Sequence, residues 1–505
     1  MRYFFLLLIA CVSSSVLGQH QMKTFHDEEK QFIKEEYYTT SAESQIRNGK
    51  YLKYYSDKGE KNEEGQYEDG KRTGEWLYYH QNGNVSVKGS FVNDLPDGQW
   101  TYFYRSGQKQ KQGNFLGGQQ QGKWMRFYEN GQKSGEGVFD LGTGMFSEYY
   151  TGGQLQRTTE FVSGKKSGKS KVFNTQNQLI QEASYIDNEL SDSLMVYHAN
   201  GNLKSISFFV NGIPDKFLME YYPSGQLKKE QYYVGGKLDG LMKTYYEDGV
   251  IRTEENYKQA LLNGFYKTYH TNGQLETESY HEQGSKTGNF KTFDKEGNLV
   301  LEGHHLNGEL EGENTAYYAN GSIKHKYTYK EGKRIGQNKE YYASGNTKTL
   351  FVFSNGGKDS KQTSYYDKDQ VQSKKTFTNG QPTGKWEYFY ESGKKEKEEQ
   401  YVSGKLNDLK SVYHENGQKK YEAEYQLGRI IGKEQQYFDN GQLDFAQVYK
   451  SGKKHGAFKA YHSNGKLRES GSYTANRKTG KWVIYDNKGK TTKTEMYKNG
   501  KKVIS

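Results

Sequence analysis

The sequence predicts an all-β chain: an elongated, open antiparallel meander of about nineteen 24-residue β-hairpin repeats, filling residues 46–505. Three observations predict it. Glycine returns at fixed positions every 24 residues, aromatic residues return with the same period, and 59 Gly and 46 Tyr stand against only 4 Pro. Such a composition suits many tight turns between short strands.

The first turn column is the most regular. Glycine stands at 59, 83, 107 and 131, then at Gly153 after a step two residues short, and from there every 24 residues through Gly273 to Gly489. The two exceptions, Asn177 and Asp369, are residue types that tolerate positive φ, so the column predicts a left-handed backbone. A second column runs from Gly70 to Gly500, with Asp94, Asp140, Asn188 and Asn476 read as substitutes and Ala260 as an outlier whose turn is expected to be remodelled. A third runs from Gly74 to Gly480 with more exceptions.

Between the turns lie segments of six to eight residues, the length of strands. One aromatic column contains Tyr55, Tyr79, Phe103, Tyr149, Tyr269 and Tyr485, and every member is Tyr or Phe. The other contains Tyr67, Phe91, Phe115 and Tyr497 and is broken only by His281 and His305. A weaker column of Leu, Ile or Val begins at Val85. The Tyr79 and Phe91 columns come from alternate strands ~4.8 Å apart and are expected to interleave as one ladder. A lone hairpin is not stable, but stacked neighbours cover one another.

With 32% hydrophobic residues and a mean hydropathy of −1.08, the chain might be taken for disordered, but 46 Tyr, 25 Phe and 5 Trp exclude that. The net charge of +11 is spread along the chain. It favours acidic partners, and without a dense basic arm no specific nucleic acid is expected.

Residues 1–18 read as a secretory signal: Arg2, the apolar Tyr3–Val12, then small residues and a cleavage site before Gln19. The chain is therefore expected to be exported, to a periplasm, an outer surface or the medium. Leu8-Ile9-Ala10-Cys11 also resembles a bacterial lipobox, which would make Cys11 a lipidated first residue; otherwise the only cysteine leaves with the signal. No later segment reaches transmembrane length. Residues 19–45 are polar and outside the period, a candidate cap in which Phe25, Phe32, Ile33 and Tyr37 would line one side of a short helix.

Nothing points to catalysis, a cofactor or a metal. His80, His198, His270, His414 and His462 share one column, at least two repeats or ~19 Å apart, whereas ligands must converge on one ion. His281 and His305 read as ring substitutes. Trp76, Trp100, Trp124, Trp386 and Trp482 share a column on the face opposite Tyr79. Two readings stand: a candidate binding surface that stacks on sugars or fills partner pockets, or rings that stabilise the N-terminal end of the array.

The pattern Gly-x-Trp-x-x-Tyr-Tyr-x-x-Asn-Gly at Gly74–Gly83, with counterparts at Gly98–Gly107, Gly122–Gly131, Gly384–Gly393 and Gly480–Gly489, resembles the MORN-repeat variant family, including YwqK-type antitoxin-like repeat proteins of bacteria. The resemblance implies a β-hairpin array with a non-catalytic role in binding or scaffolding, for some members neutralisation of a toxin, and for related repeats an association with phospholipid. The export signal and the length depart from an antitoxin. The leading expectation is a binding or scaffolding surface for a protein or glycan of the cell envelope; the alternatives are an anionic membrane or polyanion binder, and an antitoxin or immunity protein.

Overall fold

The computed structural model describes residues 18–55 and 59–503. The predicted signal lies outside them except for Gly18, and so does Cys11. The chain divides into two compact units, residues 1–249 and 250–505. In the first, strands run from His20–Phe25 to Gly240–Tyr245; in the second, from Ile251–Lys258 to Lys501–Val503. In each unit the strands form an open antiparallel meander, pairing with their chain neighbours. Among the described residues there is no α-helix, and a single 3-10 turn occurs at Asn355–Gly357.

The expected capping helix is instead a hairpin. His20–Phe25 pairs with Ile33–Thr39, which pairs in turn with Arg47–Tyr54. Glu35, Tyr37 and Thr39 show why: they turn inward at every second residue, the period of a strand. Glu35 accepts from Arg47 at 2.9 Å, Tyr37 joins the first aromatic cluster, and Thr39 is buried.

Both predicted turns form, each by its own geometry. At the first, the Gly83 amide donates to the His80 carbonyl (2.9 Å), and the His80 amide donates to the Asn84 carbonyl (2.8 Å). Gly83 sits at φ +83°, Gly107 at +88° and Gly273 at +85°; Asn177 and Asp369 hold +60°. At the second turn both central residues are left-handed, as in Asn93 and Asp94 (φ +50° and +70°), the two-residue turn whose twist matches flanking strands. Ala260 keeps this turn at φ +69° after Gln259 at +51°, so it is not remodelled. Asp140 is not a turn residue: it ends a strand and pairs with Thr143, and Gly142 (φ +78°) holds the column.

The third column marks a bulge. Lys88 pairs with Thr101 and Ser90 with Asp97, so Leu95–Phe103 carries two residues more than its partner, with Gly98 at φ +71°. Thr143–Tyr149 pairs continuously with Lys133–Asp140 and is seven residues long where Leu95–Phe103 is nine. The short step in the sequence is the loss of this bulge.

The aromatic ladder differs from the one expected. Phe91 pairs with Gly74 and so shares the parity of Trp76 and Tyr78, opposite to Tyr79. It therefore interleaves with the tryptophans. Trp76–Phe91, Phe91–Trp100, Trp100–Phe115 and Phe115–Trp124 meet edge to face, with centroids 5.9, 5.0, 5.9 and 4.9 Å apart. The Tyr79 column lies on the other face. There Tyr269 donates to Glu254 (2.7 Å), Tyr317 to Glu302 (2.6 Å), and Tyr79 to Glu64.

Each buried indole lies over a glycine eleven residues earlier. A Cβ added at Gly65, Gly89, Gly113 or Gly471 would stand 2.3, 2.1, 2.1 and 2.1 Å from the rings of Trp76, Trp100, Trp124 and Trp482. Lys375 takes this place before Trp386, which is only half-buried. Gly89→Ala is therefore expected to destabilise by about 1–3 kcal/mol through overpacking, with recovery in Gly89→Ala/Trp100→Leu. Urea unfolding of both variants checks it; a loss undiminished by the second substitution would refute the seat.

Candidate binding surfaces and the cleft at the short repeat

The predicted tryptophan surface is mostly interior. Trp76, Trp100, Trp124 and Trp482 are 1%, 6%, 0% and 1% exposed. The indole nitrogens of Trp76, Trp100, Trp124 and Trp386 donate to carbonyls ten residues earlier, at 3.0–3.2 Å. These rings pack against their own sheet and turn no face to solvent, except at half-buried Trp386.

The histidine column has a structural task. Nε2 of His80, His198, His270, His414 and His462 lies 2.9–3.2 Å from a carbonyl in the next repeat, that of Phe103, Tyr221, Phe293, Tyr437 and Tyr485. A carbonyl only accepts, so Nε2 carries the proton. Where the column holds tyrosine the hydroxyl makes the same bond: Tyr104 to Phe127 (2.9 Å), Tyr390 to Tyr413 (2.8 Å). Turn asparagines repeat the device, as from Asn82 to the Arg105 carbonyl (2.9 Å). His281 and His305 stand in for rings as expected, against Tyr266 and Phe290 at 5.9 and 4.6 Å. Among the described residues no three His, Cys, Asp or Glu side chains could hold a metal, and no helix is long and apolar enough to cross a membrane.

Among the described residues of the first unit, two surfaces bear on binding. One is the edge beside the second turns, where Val92, Leu116, Val162, Ile186, Val210 and Val234 are between 48% and 61% exposed. The other is a cleft of about 510 Å3 at the short repeat. Elsewhere the residue opposite the Phe91 column carries a side chain: Pro96 opposite Phe91, Gln120 opposite Phe115, Lys166 opposite Phe161. At the short strand the residue opposite Phe139 is Gly144, which carries no side chain, and the cleft opens beside Phe139.

A row of charges crosses this cleft. On successive strands Lys111 pairs with Arg126, Arg126 with Gly135, Gly135 with Glu148, and Glu148 with Arg157. The preceding repeat holds Tyr78, Val87 and Tyr102 in this row. Gly135 lets Arg126 reach Glu148 at 2.8 Å, and Arg157 lies 3.6 Å from the same carboxylate. Lys111 stands 4.4 Å from the Trp124 ring centroid. Burial, with the Arg126 charge beside it, lowers its pKa from the ordinary lysine value. None of this followed from the sequence reading. The cleft needs the strand register, although the two-residue deletion marked its place.

In the second unit the inner face carries a buried ion pair. Glu399 is buried and contacts Lys410 at 3.0 Å and Lys397 at 3.2 Å. Against burial, which acts to raise it, these lysines hold its carboxyl below the usual range. Lys410 occupies a tryptophan position and Glu399 the glycine position eleven residues before it.

Ten segments match the MORN repeat variant: residues 72–93, 96–116, 120–140, 195–211, 219–234, 238–259, 310–331, 382–403, 410–427 and 454–475. They support a MORN-repeat family. No curated protein matches the chain significantly. Among solved structures, crystal structures of TcdB2-TccC3-Cdc42 and TcdB2-TccC3-TEV are similar over 90% and 93% of this chain, at 12% and 13% identity and TM-scores of 0.12 and 0.14. The chain spans 30% and 25% of their length, and such scores do not define a shared overall fold.

Burial and the Glu64 carboxylate push the Tyr79 hydroxyl up to about 12, and Glu302 with burial does the same for Tyr317. An unfolded tyrosine ionises near 10. The folded chain then holds protons the unfolded chain has lost, so these bonds stabilise fully below about pH 10 and lose their effect as pH rises through 12. Stability is expected to fall across this window, and to fall less in Glu64→Gln/Glu302→Gln, whose folded tyrosines ionise closer to the unfolded value. Alkaline unfolding, read beside tyrosinate absorbance, checks this; a flat profile to pH 12 would contradict it.

Proposed function

We propose that this chain is a non-catalytic, exported repeat protein that binds or scaffolds a protein or glycan of the cell envelope across several repeats. MORN repeats support binding or scaffolding as the general role. The observation that carries the reading is the exposed aliphatic edge: six residues at the same place beside the second turns, interrupted by Asp140 and unbroken from Val162 to Val234. A partner laid along such an edge meets equivalent contacts in succession. The histidines and most of the tryptophans are engaged within the array, which favours a surface over a catalytic centre. Export rests on the sequence of residues 1–18.

A second reading is a polyanion or anionic membrane binder, favoured by the net charge of +11. A YwqK-type antitoxin role has the repeat pattern alone in its support.

Capture of envelope components by the secreted chain is expected to weaken stepwise as Val162, Ile186, Val210 and Val234 are changed to serine. Loss of all capture from one remote polar substitution would oppose the reading. Capture that vanishes with added salt, and survives the serine changes, would favour the polyanion alternative. N-terminal analysis of the exported chain is expected to start at Gln19; a lipid-modified Cys11 start would identify a lipoprotein.

A further inference from the structure

We propose that the cleft at the short repeat is a binding site for a small organic phosphate monoester, held by Lys111, Arg126, Arg157 and Lys166 above an aromatic floor. This site is separate from the aliphatic edge and would function whether or not a larger partner docks there.

The first argument is shape. At this cleft the strand lacks the two-residue bulge and Gly144 sets no side chain opposite Phe139, where the neighbouring repeats set Gln120 and Lys166 opposite Phe115 and Phe161. The space of about 510 Å3 falls in the range of small-ligand sites. Phe115, Phe139, Phe146 and Phe161 line it from below.

The second is charge. Four cations line the cleft against one carboxylate, Glu148, which leaves three positive charges uncompensated. Lys111 and Arg126 are directly opposite on adjacent strands, a placement that repels. Lys111 contacts no carboxylate among the described residues; its neighbours are the rings of Trp124 and Tyr102, at 4.4 and 5.4 Å. Nothing in the fold requires a lysine here, since neighbouring repeats use valine or glycine at the same place, Val87 and Gly135. Uncompensated like charges beside a cleft are the kind of local conflict that marks a functional site.

The third is valence. A phosphate monoester carries close to two negative charges near neutral pH and offers three acceptor oxygens. That suits a lysine and two guanidiniums better than a single carboxylate does. The apolar floor calls for a carbon body on the phosphate.

The test is calorimetric titration of the full chain with phenyl phosphate, benzoate, phenol and inorganic phosphate. Phenyl phosphate is expected to bind saturably and tightest, with affinity falling as salt rises. Lys111→Met is expected to weaken it roughly tenfold or more while leaving thermal stability equal or higher, because a repelled charge is removed. Arg157→Gln is expected to weaken binding in the same direction, and Lys237→Met, remote from the cleft, to change nothing. Benzoate binding as tightly as phenyl phosphate, unchanged affinity in both Lys111→Met and Arg157→Gln, or no saturable binding would overturn the proposal. So would retention on phosphatidylcholine vesicles containing phosphatidic acid without binding of phenyl phosphate, since a bilayer headgroup needs no recessed floor.

Discussion

Within each unit the described sheet has no second layer to cover its inner face, and the chain meets that constraint by laying large rings sideways over glycines of the neighbouring strand. Domains ordinarily bury apolar surface between two layers. Here Trp100 fills the volume a side chain at Gly89 would take, and the edge of Phe91 closes it from the side. Burial is thus achieved within one layer, which reconciles a hydrophobic content of only 32% with an ordered fold.

The same positions tolerate varied chemistry so long as volume and charge remain matched. Leu194 stands eleven residues after Ala183, Asn338 after Tyr327, and Gln362 after Phe351. Thr159 and Ser170 exchange a hydrogen bond at 3.1 Å in this register, and Glu399 and Lys410 form an ion pair. A paired charge replaces a ring over glycine only because each partner answers the other. Nearly every contact joins neighbouring strands, an arrangement of short sequence separation that favours fast, local folding.

Much of this was legible in the sequence, for physical reasons. Left-handed turns admit few residue types, so Asn177 and Asp369 announced the backbone as clearly as the glycines did. The two-residue deletion was visible as a change of phase. What could not be read was which face each column occupies, because the register slips by one residue beside the first turn, where Tyr78 pairs with Val87 but Tyr79 with Val85, and a one-residue slip exchanges the faces. That is why Tyr79, and not Trp100, was expected beside Phe91. Asp140 was misplaced because the deletion could not be located between two turns. The glycine eleven residues before each buried tryptophan was present as a signal at Gly65, Gly89, Gly113 and Gly471. It went unread because glycine in this chain otherwise means a turn. The exposed aliphatic edge and the charge row needed the observed pairing.

The bonds from His80 to the Phe103 carbonyl and from Tyr104 to the Phe127 carbonyl ask nothing of the identity of the repeat that receives them. Any unit with a backbone carbonyl at that station will serve. Copies can accordingly be gained or lost by duplication and excision without spoiling the joints that remain, so length is a parameter evolution can adjust cheaply. Against that interchangeability the units whose strands lack the bulge, Thr143–Tyr149 and Asp359–Tyr365, act as index marks: they fix addresses along a chain of otherwise similar members.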